Sequence, residues 1–92
     1  LEKYLPWGPF YGVFVKRDTP DDVKATLVAA FKAAGANPQF VTLMKDRGNV
    51  MMNTSGAEAD AFLKKWQSVT SWVLQDVGAA KAPPDKFGIP KP

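Results

Sequence analysis

Few side chains in this 92-residue chain can do chemistry. His and Cys are both absent, which rules out a Cys/His zinc site, a Cys nucleophile and a His general base. Nine carboxylates remain, and no two sit in a recognisable catalytic pairing. Met51-Met52 adds nothing, because thioethers without Cys or His make poor metal sites. The chain therefore reads as a non-enzyme, with no catalytic residue, no metal ligand and no cofactor.

Binding offers more. Trp7, Gly8, Phe10 and Tyr11, within Trp7-Gly8-Pro9-Phe10-Tyr11, are the ligand-binding candidates. An indole N–H or a phenolic O–H from this stretch suits a carboxylate. The same residues can instead pack a hinge, with Gly8 and Gly12 present for backbone shape. Lys16-Arg17 could attract an anion, but a basic pair at the end of an apolar run reads as solvated. The helix starts at Thr19, Asn37 and Ser55 offer N-terminal amides to anions, although Asp21 and Asp22 already occupy the first. Trp66 and Trp72 could stack on nucleic-acid bases. Trp66, however, falls on an apolar helix stripe and reads as core. Trp72 lies one step off that stripe, placed to meet the tail or another lobe.

These candidates depend on the elements that position them. Phe10, Tyr11, Val13, Phe14 and Val15 form a near-continuous apolar run, which predicts a strand over Phe10 to Lys16 of the kind buried on both faces. Thr19 as N-cap and Pro20 at the first helical position open a helix, with Asp22 completing a capping-box spacing. Val23, Leu27, Ala30, Phe31 and Ala34 give its apolar face, and Gly35 ends it. Asn37-Pro38 opens a second helix, closed by Gly48. Asn49 to Ser55 reads as a short strand with Val50 and Met52 on one face. Ser55 and Glu58 form a capping box for a third helix, about Gly56 to Val77. Phe62, Trp66, Val69 and Val73 form its stripe, with Leu63, Leu74 and Val77 at the margin and Gly78 as its stop. Residues 79–92 carry four prolines in 14 residues, which predicts an extended tail anchored by Phe87 and Ile89.

The predicted class is thus α/β, in the order strand, helix, helix, strand, helix, tail, as one segment over residues 1–92. Two short strands are marginal as a sheet on their own, so the first strand needs neighbours this chain does not supply. Leu1-Glu2-Lys3-Tyr4 shows neither an initiator Met nor an apolar leader, and a processed or partial product is the expectation. The net charge is +3, but the basic residues are dispersed. Lys16-Arg17 and Lys64-Lys65 are the only adjacent pairs, which fits solvated faces better than a nucleic-acid footprint.

The segments "WGPFYGVFVKRDTPDDVKATLVAAFKAAGANPQF", "SGAEADAFLKKWQSV" and "DVGAAKAPPDKFGIPKP", taken in order, resemble the C-terminal portion of the tripartite tricarboxylate transporter receptors, the TctC or Bug family. The resemblance rests on the ordered set of an aromatic-Gly run, a Thr-Pro helix start, an Asn-Pro-x-Phe second helix and a capping-box helix carrying Trp. Asp18 stands where that family usually has Gly, and Asn37 where it commonly has Asp; both are acceptable in a turn or cap.

The resemblance implies part of one lobe of a two-lobed periplasmic-binding-protein fold. Its function would be to bind a small organic carboxylate by lobe closure and present it to membrane permease subunits, in the periplasm. Trp7, Gly8, Phe10 and Tyr11 would then lie near the cleft or hinge, and no nucleic acid would be bound. A second copy could pair along the exposed edge of the first strand. The alternative is a small basic α/β module that binds RNA or a protein partner, which steep salt dependence of binding would reveal.

Overall fold

A computed structural model describes residues 2–5 and 7–92, and among them only helices and turns form. A 3₁₀ turn, Glu2–Tyr4, is followed by α1 (Asp21–Gly35), α2 (Pro38–Asp46), α3 (Gly56–Asp76) and a second 3₁₀ turn, Pro84–Phe87. The expected α/β class is overturned, because neither predicted strand is present among the described residues. The chain divides into two compact units, residues 1–10 with 56–92, and residues 11–55.

The physical reason lies in what a strand requires. Its backbone groups need a neighbouring ladder, and an apolar run alone cannot supply one. The predicted strand is cut between Phe10, which packs in the first unit, and Tyr11, which is 94% exposed in the second. Val13, Phe14 and Val15 are exposed as well. The second predicted strand fails at Asn53, whose φ of 49° is left-handed and breaks the pleat. Val50, expected to share a strand face with Met52, is 85% exposed. With no strand among the described residues, they offer no strand edge for a second copy to extend.

In the first unit, α3 is the axis. Val69, at 4% exposure, is the one buried hydrophobic side chain among the described residues, and Ser68 and Pro84 are buried near it in sequence or space. Phe62, Leu63, Trp66 and Trp72 are half-buried along the same helix. The predicted stripe holds as far as Val69, beyond which Val73, Leu74 and Val77 face water. The tail is not wholly irregular, since Pro84–Phe87 makes one 3₁₀ turn. Phe87 is exposed rather than an anchor, while Ile89 is half-buried as expected.

The second unit is built from ends rather than a core. Asn37 caps α2 as predicted, its Oδ1 accepting from the N–H groups of Gln39 (3.0 Å) and Phe40 (3.3 Å). At the other end of α2 the Gly48 N–H reaches the Lys45 carbonyl and the Asn49 N–H that of Met44, both at 2.9 Å. With Gly48 at φ +76°, this is a Schellman stop. Thr19, in contrast, does not cap α1; Pro20 holds that position and no side chain bonds the first amides. The Ser55–Glu58 box likewise makes no hydrogen bond among the described residues.

Gly35 has a different task at the end of α1. A Cβ there would meet Asn53 Oδ1 at 2.6 Å and Cγ at 3.0 Å. Asn53 uses that space to donate from Nδ2 to the Lys32 carbonyl at 3.3 Å, which at the helix end also accepts from the Ala36 N–H at 3.1 Å. Gly35→Ala and Asn53→Ala should each weaken the second unit by about 1 kcal/mol through loss of this bond. The double variant should cost little more than either single change, which far-UV circular dichroism during urea unfolding would measure.

Candidate functional site

The candidate stretch Trp7 to Phe10 is placed by α3. Phe62, Trp66 and Thr70 recur every four residues and so lie along one helix face. The Phe10 ring meets Phe62 at 5.6 Å and 89° and Trp66 at 5.2 Å and 78°, both edge-to-face. This is the arrangement that aromatic quadrupoles favour. Trp66 Nε1 donates to the Gly8 carbonyl at 3.0 Å, and Trp7 Nε1 donates to Thr70 Oγ1 at 2.8 Å. Slightly earlier in the chain, Lys65 Nζ donates to the Leu5 carbonyl at 3.2 Å.

These contacts assign roles to the four candidates. An indole has one donor, and that of Trp7 is spent on Thr70, so it has none left for a carboxylate. Gly8 contributes its carbonyl, and Phe10 contributes its ring as packing. The three together clamp the N-terminal segment onto α3. Tyr11 is not part of the clamp. It is the most exposed of the large hydrophobic residues, and its hydroxyl makes no hydrogen bond among the described residues.

The remaining candidates are also accounted for. Trp72 Nε1 donates to the Ile89 carbonyl at 3.1 Å, and Lys91 Nζ lies 5.3 Å from the centre of the Trp72 ring. Trp72 thus meets the tail, one of the two roles its position suggested. Beside it, buried Ser68 donates from Oγ to the Pro90 carbonyl at 2.6 Å. The α2 N-terminus is closed to anions by Asn37. Lys16 and Arg17 are exposed, and the Arg17 carbonyl accepts from Lys24 Nζ at 3.0 Å.

Ser68 and Thr70 are the functional partners that sequence reasoning missed. Thr70 carried a signal, since it continues the Phe62–Trp66 line as a polar residue on an apolar face. Ser68 carried none, because its partner lies 22 residues away. Among the described residues no group of His, Cys, Asp or Glu could hold a metal ion, and no helix is long and apolar enough to cross a membrane. No family model, curated protein or solved structure matches the chain. The receptor resemblance therefore rests on the quoted residues alone.

The clamp can be tested apart from any ligand. All three tryptophans lie in the first unit, so their fluorescence follows that unit. Trp66→Phe keeps a ring beside Phe10 but removes the donor to Gly8, and should cost about 1 kcal/mol in urea unfolding. Tyr11→Ala, at an exposed position, should change stability by less than about 0.5 kcal/mol.

Proposed function

We propose that this chain is the C-terminal part of an extracytoplasmic solute receptor, one that binds a small carboxylate and hands it to membrane permease subunits. The ordered motifs support the reading. The observation that carries it is the apolar surface left in water. A folded chain of 10.0 kDa exposes about 5,200 Å², and two separate bodies of half that mass about 6,300 Å² together. This chain exposes 7670 Å². Whichever reference is used, the excess surpasses the roughly 800 Å² each partner gives to a standard interface.

Large apolar side chains are among what stays exposed. In the second unit Tyr11, Val13, Phe14, Val15, Phe31 and Leu43 are all exposed. Covering such a side chain fully is worth about 1.5–3 kcal/mol, so a body that buries them gains substantially. The remainder of the receptor would be such a body. In this reading the Trp7–Phe10 clamp holds the N-terminal segment on α3, and ligand contacts come chiefly from polypeptide outside these 92 residues. The predicted strand pairing forms no part of the proposal.

The intact mass of the gene product in the periplasmic and cytoplasmic fractions of the source cell tests this reading. A periplasmic protein several times heavier than 10.0 kDa, ending in Lys86-Phe87-Gly88-Ile89-Pro90-Lys91-Pro92, is the expected result. A cytoplasmic species of 10.0 kDa would overturn it.

A further inference from the structure

The way the tail lies on α3 has a chemistry that the roles above do not exhaust. The side of a helix has no free main-chain donors, because each interior N–H already bonds the preceding turn. Only side chains there can hold the carbonyls of a neighbouring segment. Ser68 and Trp72 stand one turn apart on the same face, and each spends its single donor on the tail. Ser68 Oγ donates to the Pro90 carbonyl at 2.6 Å, and Trp72 Nε1 to the Ile89 carbonyl at 3.1 Å. The two acceptors are consecutive, so the tail runs opposite in direction to α3.

Such a pair of donors selects what it holds. A segment rich in proline brings carbonyls and few N–H groups, and so fits without leaving a donor of its own unmatched. It also arrives already extended, which lowers the ordering cost of docking. Pro90 and Pro92 line a mostly apolar groove with Tyr4 and Val69, and Lys91 Nζ lies 5.3 Å from the centre of the Trp72 ring. Ser68 is buried, so an empty surface would leave its hydroxyl without a partner. The hold on the tail is nonetheless slight. Pro90, Lys91 and Pro92 are exposed, Ile89 is half-buried, and Phe87 is 71% exposed. Segments fastened by so few contacts open before the body they lie on.

We propose that Ser68, Val69 and Trp72 form a recognition surface for extended segments of the type apolar-Pro-basic-Pro, with the chain's own Ile89-Pro90-Lys91-Pro92 as its resident, exchangeable ligand. The same segment of a second copy presents identical carbonyls and takes its place when the resident one lifts. The surface lies wholly within the first unit, goes beyond the receptor reading, and stands if that reading falls.

The test is a nuclear magnetic resonance titration of the isotope-labelled 92-residue chain with an unlabelled peptide of residues 83–92. The resident tail competes at an effective concentration of about 1 mM, so the wild-type chain should bind the peptide weakly. Saturable shifts are expected at the Trp72 indole N–H and the Ser68 amide, with the Trp7 and Trp66 indoles unmoved. In the variant Ile89→Gly/Lys91→Ala, which loosens the resident tail, the peptide should bind about tenfold tighter. Adding Ser68→Ala to that variant, or replacing both prolines 90 and 92 of the peptide by alanine, should weaken binding about fivefold. Absence of a shift at Trp72, equal affinity with and without the loosened tail, or indifference to Ser68→Ala would each overturn the proposal. If the loosened variant loses helicity, the wild-type titration decides. Trp72 shifts that require the prolines of the peptide support the proposal, and shifts that ignore them overturn it.

Discussion

The indole N–H of Trp66, donated to the carbonyl of Gly8, joins residues 58 positions apart. Closing a loop that long carries a large entropic cost, and one hydrogen bond of about 1 kcal/mol does not offset it. What makes the closure hold is that Phe10 fills the space beside the same indole while Trp7 bonds Thr70 one turn further on. Lys65 takes the Leu5 carbonyl on the way in. The first unit depends on this cluster, because among the described residues Val69 and Pro84 are the only apolar ones fully buried in it. The tail repeats the strategy, with Trp72 and Ser68 reaching main-chain carbonyls of Ile89 and Pro90. A proline-rich segment with few amides to donate is held through the acceptors it retains.

Much of the helical content was legible because its signals are local. Asn37-Pro38 fixes the start of α2 through bonds two and three residues along the chain. Gly48 and Gly78 stop their helices as expected; at Gly78 the Ala79 N–H reaches the Leu74 carbonyl at 2.8 Å and the Gly78 N–H that of Gln75 at 3.0 Å. The misreadings are those where a distant partner decides. Tyr11 to Val15 has the composition of a covered strand, but a strand exists only with a neighbour, and composition cannot supply one. Asn53 sits in a stretch of apparent β character, yet it turns left-handed so that its amide can reach Lys32, 21 residues earlier. The clamp was visible only as an alternative use of the same residues: the aromatic-Gly stretch drew attention, while its partners on α3 lay too far along the chain to name.

The two units differ in what holds them. Polar closure in the first is extensive, and no buried side-chain polar atom among the described residues lacks a partner. The second has no buried residue at all. Its helices stand on capping, on the Asn53–Lys32 bond and on contact between α1 and α2. Helices of this length are marginal in water without tertiary support, and α2 has only 9 residues. Low local stability of this kind is where segments open first. A covering body for residues 11–55 would therefore do more than recognise a surface. It would supply the apolar burial that a unit of helix ends and exposed Tyr11, Phe14 and Phe31 lacks, so that docking and completion of the fold become one event.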